Sequence, residues 1–309
     1  MLSPASRSRT SRLREAPAVL SLIVPALAGL VSFVVVPFVL AAVWLSVHRV
    51  SLSNPDQPKK FMGLEYYRRL LDPSIAGSIA EKFYGALLNN LTFAVVVVIV
   101  QTACATALAV AVNRPGRFTT FFRGLFFLPV VFPMALVAVI WQLIFSPDSR
   151  GLLNAVFGAA SGGHMAAQNW LQDPKLAMLS IIMLSMWQGV GFQMVIILAG
   201  LQGVPRELYE AAEIDRAGAW SQFRHVTLPG LRNTLIFVVM MTTVLALRLF
   251  DQVQILTPNN QDTRTVMSLN FEQRQSVGQA AAISVVFFVL TLAVTVVQRF
   301  ALREEREIS

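Results

Sequence analysis

The chain has 309 residues, 55% of them hydrophobic and 14% charged, against roughly 25% charged in an ordinary soluble domain. That deficit excludes a soluble globular fold, and the abundance of apolar residues excludes disorder. One cysteine and three scattered histidines exclude an internal disulfide and a Cys- or His-built metal centre, and the net charge of +8 must be read by position, because loop cations orient membrane proteins.

Gaps between charges locate the spans. Residues 16–47, 83–113, 124–147, 176–205 and 275–298 carry no charged side chain, and each can hold the ~20 apolar residues that a membrane helix needs. A sixth stretch, 233–256, is equally apolar but contains Arg248 and Asp251. The expected fold is all-α and polytopic, a membrane domain over 17–302 with six transmembrane helices. They lie at about 17–47, 86–113, 121–146, 175–201, 231–256 and 276–299. A cytoplasmic segment, 1–16, precedes them and a cytoplasmic tail, 303–309, comes after. The apolar run after Arg7, Arg9, Arg12 and Arg14 is about twice as long as a signal-peptide core, so it is expected to remain as the first helix.

With both termini inside, the inner segments hold 14 of the 25 cations and the outer loops 10, Arg248 completing the count. The first outer loop is itself basic. The N-terminal segment and the short 114–123 loop, with Arg114, Arg117 and Arg123, decide for cytoplasmic termini because short segments weigh most. Pro17, Pro25 and Pro37 in the first span, and Pro129 and Pro133 in the third, predict bends whose freed carbonyls neighbours must satisfy. Ala103, Ala107 and Ala111 form a small-residue stripe suited to close helix contact.

The inner loop between the fourth and fifth spans, 203–229, reads as a helix–turn–helix. Pro205 suits a helix start, and Glu207 and Glu210 are favourable in a first turn. Leu208, Ala211, Ala212 and Asp215 fall at helical spacing, flanked by Glu210 and Glu213. Gly218 can turn the chain, and Trp220 and Phe223 are expected to anchor the loop on the membrane-side bundle. Small residues for close approach beside acids for orientation suit a plug for another protein's groove.

Glu210-Ala211-Ala212 followed by Val226-x-Leu228-Pro229 resembles the EAA loop of permease subunits of binding-protein-dependent ABC importers. Leu198–Pro205, Glu207–Asp215, Phe122–Pro129, Trp187–Phe192, Phe250-Asp251 and Gly63–Tyr67 resemble the sugar-type branch, which includes maltose and glycerol-3-phosphate permeases. The likeness runs from about residue 17 to residue 300. It implies a type I importer permease in a prokaryotic cell membrane, paired with a second, homologous permease subunit. Two ATP-binding subunits would dock beneath, carrying the ATP and Mg, with no cofactor on this chain. An extracytoplasmic binding protein would deliver the solute. Glu207, Glu210, Ala211, Ala212, Glu213, Asp215, Arg216, Gly218, Leu228 and Pro229 are the implied ATPase-coupling residues.

The chain departs from the family pattern where Arg216 stands at the usual glycine. Glycine there permits a turn with positive φ. Either Gly218 takes over the turn, or the turn needs no positive φ. A second departure is Pro258-Asn-Asn-Gln-Asp262, where the family often has glycines and proline.

For the solute path, Arg248 and Asp251 lie three apart, on one face of a continuous helix. A charge at mid-bilayer costs roughly 2.5–3.5 kcal/mol, so the pair either locks helices, snorkels outward or faces a vestibule. Trp187, Gln188 and Phe192 suit a polyol through stacking and hydrogen bonds, or pack the core around Gly189 and Gly191. Gln142 and Asn154 are weaker candidates, and Asn89, Asn90 and Gln101 weaker still. The likeness leans towards sn-glycerol-3-phosphate or a glycerophosphodiester, with a neutral mono- or oligosaccharide the alternative. An autonomous carrier or channel lacks a cluster of membrane acids for a coupling ion. An intramembrane enzyme lacks a G-x-S-x-G elbow and paired carboxylates, and the missing G-x-x-x-x-G-K loop puts any ATPase on another chain.

Overall fold

The structure is a computed structural model that describes residues 21, 23–50, 59–74, 78–148, 151–164 and 166–302. The expected terminal segments, 1–16 and 303–309, and the start of the first span lie outside the described residues. The described chain is helical apart from one antiparallel pair, β1 (His48–Arg49) with β2 (Lys60–Phe61). Its described residues divide into two compact units, the first holding those up to 69 and over 273–286 and the second those over 70–272 and 287–302.

In the first unit, α1 (Ile23–Ser46) carries a π-turn over Val31–Val35. Val36 N–H reaches back to Val31 O, and Pro37 comes directly after. A proline cannot donate to the preceding turn and crowds it, so the helix widens there and continues. The chain then forms β1 and β2, and α2 (Glu65–Leu71) starts after Gly63 at φ +59, a conformation that favours glycine. Tyr66 is buried and Tyr67 Oη shares a 2.6 Å hydrogen bond with Ser46 Oγ. At the start of α13 (Val277–Ala301), Val277 N–H donates to Val50 O, and Gly278 packs on the His48 carbonyl with no room for a side chain.

The second unit is built on α3 (Ile79–Ala111) and α7 (Ala177–Gln202). Ser78 caps α3 by accepting from Glu81 N–H, and a π-turn over Val97–Gln101 widens its middle. Arg123 donates twice to Val112 O at the far end, at 3.2 and 2.6 Å. Ala105 and Ala109 pack fully buried against Met194, Ile197 and Leu201 of α7. The predicted stripe of Ala103, Ala107 and Ala111 faces outward instead. The small residues that let helices touch lie one register over.

Where the sequence predicts one span over 121–146, the structure has α4 (Arg117–Val131) and α5 (Met134–Ile144), bent by 100° at the break. Phe132 is extended (φ −81, ψ 140) and Pro133 caps α5, because the residue before a proline avoids the helical region. After α6 (Leu152–Ala160) and α7 come α8 (Arg206–Ile214), a helical stretch over 219–230, and α10 (Arg232–Leu247); the 219–230 stretch is α9. Beyond them lie α11 (Asp251–Leu256), α12 (Val266–Glu272) and α13. Among the described residues, five helices are long and apolar enough to cross a membrane, or six if the bent pair is one span.

The predicted fifth span is likewise interrupted at Arg248–Phe250. The carbonyls released there are taken by side chains. Asn90 Nδ2 donates to Leu247 O at 3.0 Å and Thr265 Oγ1 to Leu249 O at 3.0 Å, while Asn90 Oδ1 accepts from Val266 N–H at 2.8 Å. Buried backbone groups must be paired, and this clamp pairs them without a continuous helix.

Candidate functional site: a docking loop and a polar cavity

The first site is the loop after α7. Pro205 caps α8, on which no residue is buried. Glu207, Glu210, Ala211 and Glu213 are exposed and Ala212 is half-buried. The helix ends at Asp215, and Arg216 takes φ +56. Arg216 N–H donates to Glu213 O and Ala217 N–H to Ala212 O, each at 2.9 Å. That pair of bonds is the Schellman helix stop, which places the residue after the cap in the left-handed region. Both sequence expectations for the turn therefore fail. The turn does need positive φ, and Arg216 itself adopts it. Gly218 is extended (φ −68, ψ 166) and caps the next helix.

The loop is clipped to α9. Tyr209 Oη and Thr227 Oγ1 share a 3.0 Å hydrogen bond, and Gln222 Nε2 donates to Ala217 O at 3.1 Å. A π-turn over Phe223–Thr227 comes just before Leu228 (half-buried) and Pro229 (exposed), the same arrangement as before Pro37. Trp220 does not anchor on the bundle. It is 72% exposed and stacks on Phe223. Phe223 is half-buried and lines a groove together with Val98, Ala103 and Leu235.

The second site is a cavity of about 390 Å³ bordered by α3, α4, α5, α7, α10 and α11. Gln101, Gln188, Gln193, Gln252, Arg248 and Asp251 supply its polar lining, and Phe93 and Phe192 its aromatic faces. Gln188 Nε2 donates to Phe132 O at 2.9 Å, the carbonyl freed at the Pro133 break. Gln193 Nε2 donates to Thr242 Oγ1 at 2.6 Å. Both glutamines are over 90% buried, and among the described residues the Oε1 atoms of both have no partner. Gly189 lies against Gln101, where an added Cβ would come within 2.6 Å of its Nε2, and Gly191 lies against the Phe126 carbonyl. These glycines let α7 approach α3 and α4.

Arg248 and Asp251 do not share a helix face, because the helix stops at Leu247 and restarts at Asp251. Both still border the cavity, both are exposed, and among the described residues they form no ion pair. The cavity thus gathers Gln101, Gln188, Phe192, Arg248 and Asp251 from the predicted set. It leaves out five others, of which Asn90 is held in the clamp at Leu247 and Asn89 donates to Asp262 O and Arg264 O. Trp187 packs edge-on against Trp141, Gln142 Nε2 donates to Ile255 O, and Asn154 is consumed by its loop. Its Nδ2 donates to Ser146 O and Gln168 O, and its Oδ1 accepts from Trp170 Nε1. Ser185, Gln193 and Gln252 escaped the sequence reading. Ser185 and Phe192 stand three before and four after Gln188, and that helical stripe was the available signal.

Apolar helices interrupted at Phe132-Pro133 and Arg248–Phe250, where the breaks border a polar cavity, suit a membrane permease, and the fold is all-α and polytopic. Residues 101–304 match the family described as binding-protein-dependent transport system inner membrane component, and the chain belongs to it. It is 34% identical to the probable ABC transporter permease protein YurN of Bacillus subtilis, covering 89% of this chain and 92% of that one. It is 31% identical to the trehalose/maltose transport system permease protein MalF of Thermococcus litoralis, covering 93% and 95%. The fold matches the crystal structure of a bacterial ABC transporter involved in import of the acidic polysaccharide alginate. There the TM-score is 0.75, at 19% identity, over 98% of this chain and 100% of that one. Members of the family are transport components rather than enzymes, and so is this chain.

Proposed function

We propose that the chain is one of two permease subunits of an ATP-driven importer for a neutral carbohydrate. The observation that carries the solute class is the uncharged polar lining of the cavity, which gathers Gln101, Ser185, Gln188, Gln193 and Gln252. Amides and a hydroxyl both donate and accept, as the hydroxyls of a carbohydrate do, and each such hydrogen bond contributes about 0.5–1.5 kcal/mol net. Phe93 and Phe192 offer apolar faces to the C–H side of a sugar ring. The trehalose/maltose relative supports the same class.

In this reading both termini are cytoplasmic and α8 docks in a cleft of an ATP-binding subunit. Glu210 orients it against a basic partner, and Ala211 and Ala212 permit close approach. ATP closure of the two nucleotide subunits draws the loops together, and the Tyr209–Thr227 clip passes that motion to α10, whose far end borders the cavity. An extracytoplasmic binding protein delivers the solute to the opposite face.

Arg248 at the cavity wall favours a second reading, a glycerol phosphate or glycerophosphodiester, since guanidinium matches phosphate geometry. The test is ATPase stimulation of the assembled importer in lipid, its binding protein loaded in turn with neutral sugars, glycerol phosphate and glycerophosphodiesters. Stimulation by neutral sugars alone supports the first reading. Stimulation by a phosphate-bearing solute alone overturns it in favour of the second.

A further inference from the structure

The sequence makes Gln101 a weak candidate, since a buried amide in a membrane helix commonly ties two helices together. The other amides along the cavity are spent in that way. Gln188 donates to Phe132 O, Gln193 to Thr242 Oγ1 and Gln252 to Ser185 Oγ. Gln101 differs. It lines the cavity and is 5% exposed, yet among the described residues neither its Oε1 nor its Nε2 makes a hydrogen bond. Nor is either atom sealed off, as the Oε1 atoms of Gln188 and Gln193 are. One donor group and one acceptor are thus left for whatever enters the cavity.

Two backbone features hold the amide there. Phe93 and Val97, four residues apart, line the cavity, and Gln101 comes four residues further. A helix wound at 3.6 residues per turn would carry Gln101 about 80° away from Phe93. The π-turn over Val97–Gln101 winds more slowly and takes up that rotation. On the facing helix stands Gly189. A Cβ there would come within 2.6 Å of Gln101 Nε2 and 3.2 Å of its Cδ and Oε1, so the whole amide rests on the bare backbone of α7. Phe192 is three residues on, on the same face of α7 and about 4.5 Å along its axis, and it lines the same cavity.

We propose that Gln101 is the residue by which the cavity selects among neutral carbohydrates. Its Oε1 accepts from one ring hydroxyl and its Nε2 donates to the neighbouring one, while Phe192 covers the C–H face of the same ring. The proposal rests on the neutral-carbohydrate reading and adds a requirement for two adjacent hydroxyls.

The complete importer in lipid, with its binding protein, is offered glucose, galactose, mannose, maltose, trehalose, lactose and glycerol phosphate. The monodeoxy analogues of the most stimulating sugar follow, and the sugar concentration for half-maximal ATPase stimulation is read for each. Selection by the binding protein is common to native and variant importers, so it cancels between them. Gln101→Met keeps length and volume but neither polar atom. It should remove roughly two- to tenfold of the penalty for loss of each of two adjacent hydroxyls, one neutral hydrogen bond apiece, and leave the penalties at other hydroxyls as they are. Gly189→Ala keeps the amide but pushes its flexible end off α7, and should remove the same two penalties. Penalties unchanged in Gln101→Met overturn the proposal. So does an equal loss of stimulation by the parent sugar and all its analogues, which would make Gln101 a packing residue. Stimulation of the native importer by glycerol phosphate and by none of the sugars overturns the underlying reading instead.

Discussion

Replacing Arg216 by glycine should tighten the loop over 206–230. Arg216 sits at φ +56, where a residue with a Cβ pays about 1–2 kcal/mol that glycine does not. Glycine gives back about 0.4–1 kcal/mol through the larger freedom of the open chain. The difference is a net gain on the order of 0.5–1 kcal/mol in the helix stop, or about two- to fivefold in its opening equilibrium. The amides that report it are Arg216 N–H and Ala217 N–H, which close the turn on Glu213 O and Ala212 O. Hydrogen exchange of the 206–230 region, measured by mass spectrometry on the chain in lipid nanodiscs, should slow by about that factor in Arg216→Gly. Arg216→Ala removes the cation but keeps the Cβ, so it should show no slowing. Equal slowing in both variants would trace the effect to charge and refute the backbone argument.

Glu210→Lys changes an exposed side chain, so it should weaken co-purification of the ATP-binding subunit and lower transport while membrane insertion is unaffected; unchanged uptake by well-expressed protein would remove Glu210 from docking. Gly191→Ala pushes a methyl group into the Phe126 carbonyl and should destabilise the chain by about 1–3 kcal/mol, visible as earlier thermal unfolding. Asn90→Leu orphans Leu247 O and Val266 N–H at about 1–3 kcal/mol each; a thermal midpoint equal to that of the native chain would show that the break at Arg248–Phe250 does not depend on the clamp. Arg248→Ala should alter solute-stimulated transport more than assembly, and loss of assembly alone would assign Arg248 to holding helices together.

The helices were legible because apolar length and absence of charge are local properties, readable along residues 176–205 or 275–298 without a partner. Their interruptions were not. The break at Phe132-Pro133 has a local cause, and proline predicts a bend there, but not its 100° angle, nor that Gln188, 56 residues away, pairs the freed carbonyl. The break after Leu247 depends on Asn90 and Thr265, far off in sequence, so periodicity carries Arg248 and Asp251 onto one helix face where none exists. Arg216 stands out in the sequence as the odd residue in the turn, yet its conformation comes from the Schellman bonds and not from its own preference. The candidate cavity was half legible. Gln188 and Phe192 are recognisable by their chemistry, while Asn154, equally polar, is spent on Ser146, Gln168 and Trp170. Residue type does not reveal which amides still have an atom to offer.

Coupling to a separate ATPase is the central claim, and uptake in proteoliposomes tests it most directly. The chain is reconstituted alone, then with its permease partner, binding protein and ATP-binding subunits, with and without ATP. Accumulation of labelled solute only in the complete, ATP-containing vesicles is the predicted result. Uptake by this chain alone without ATP would contradict the account.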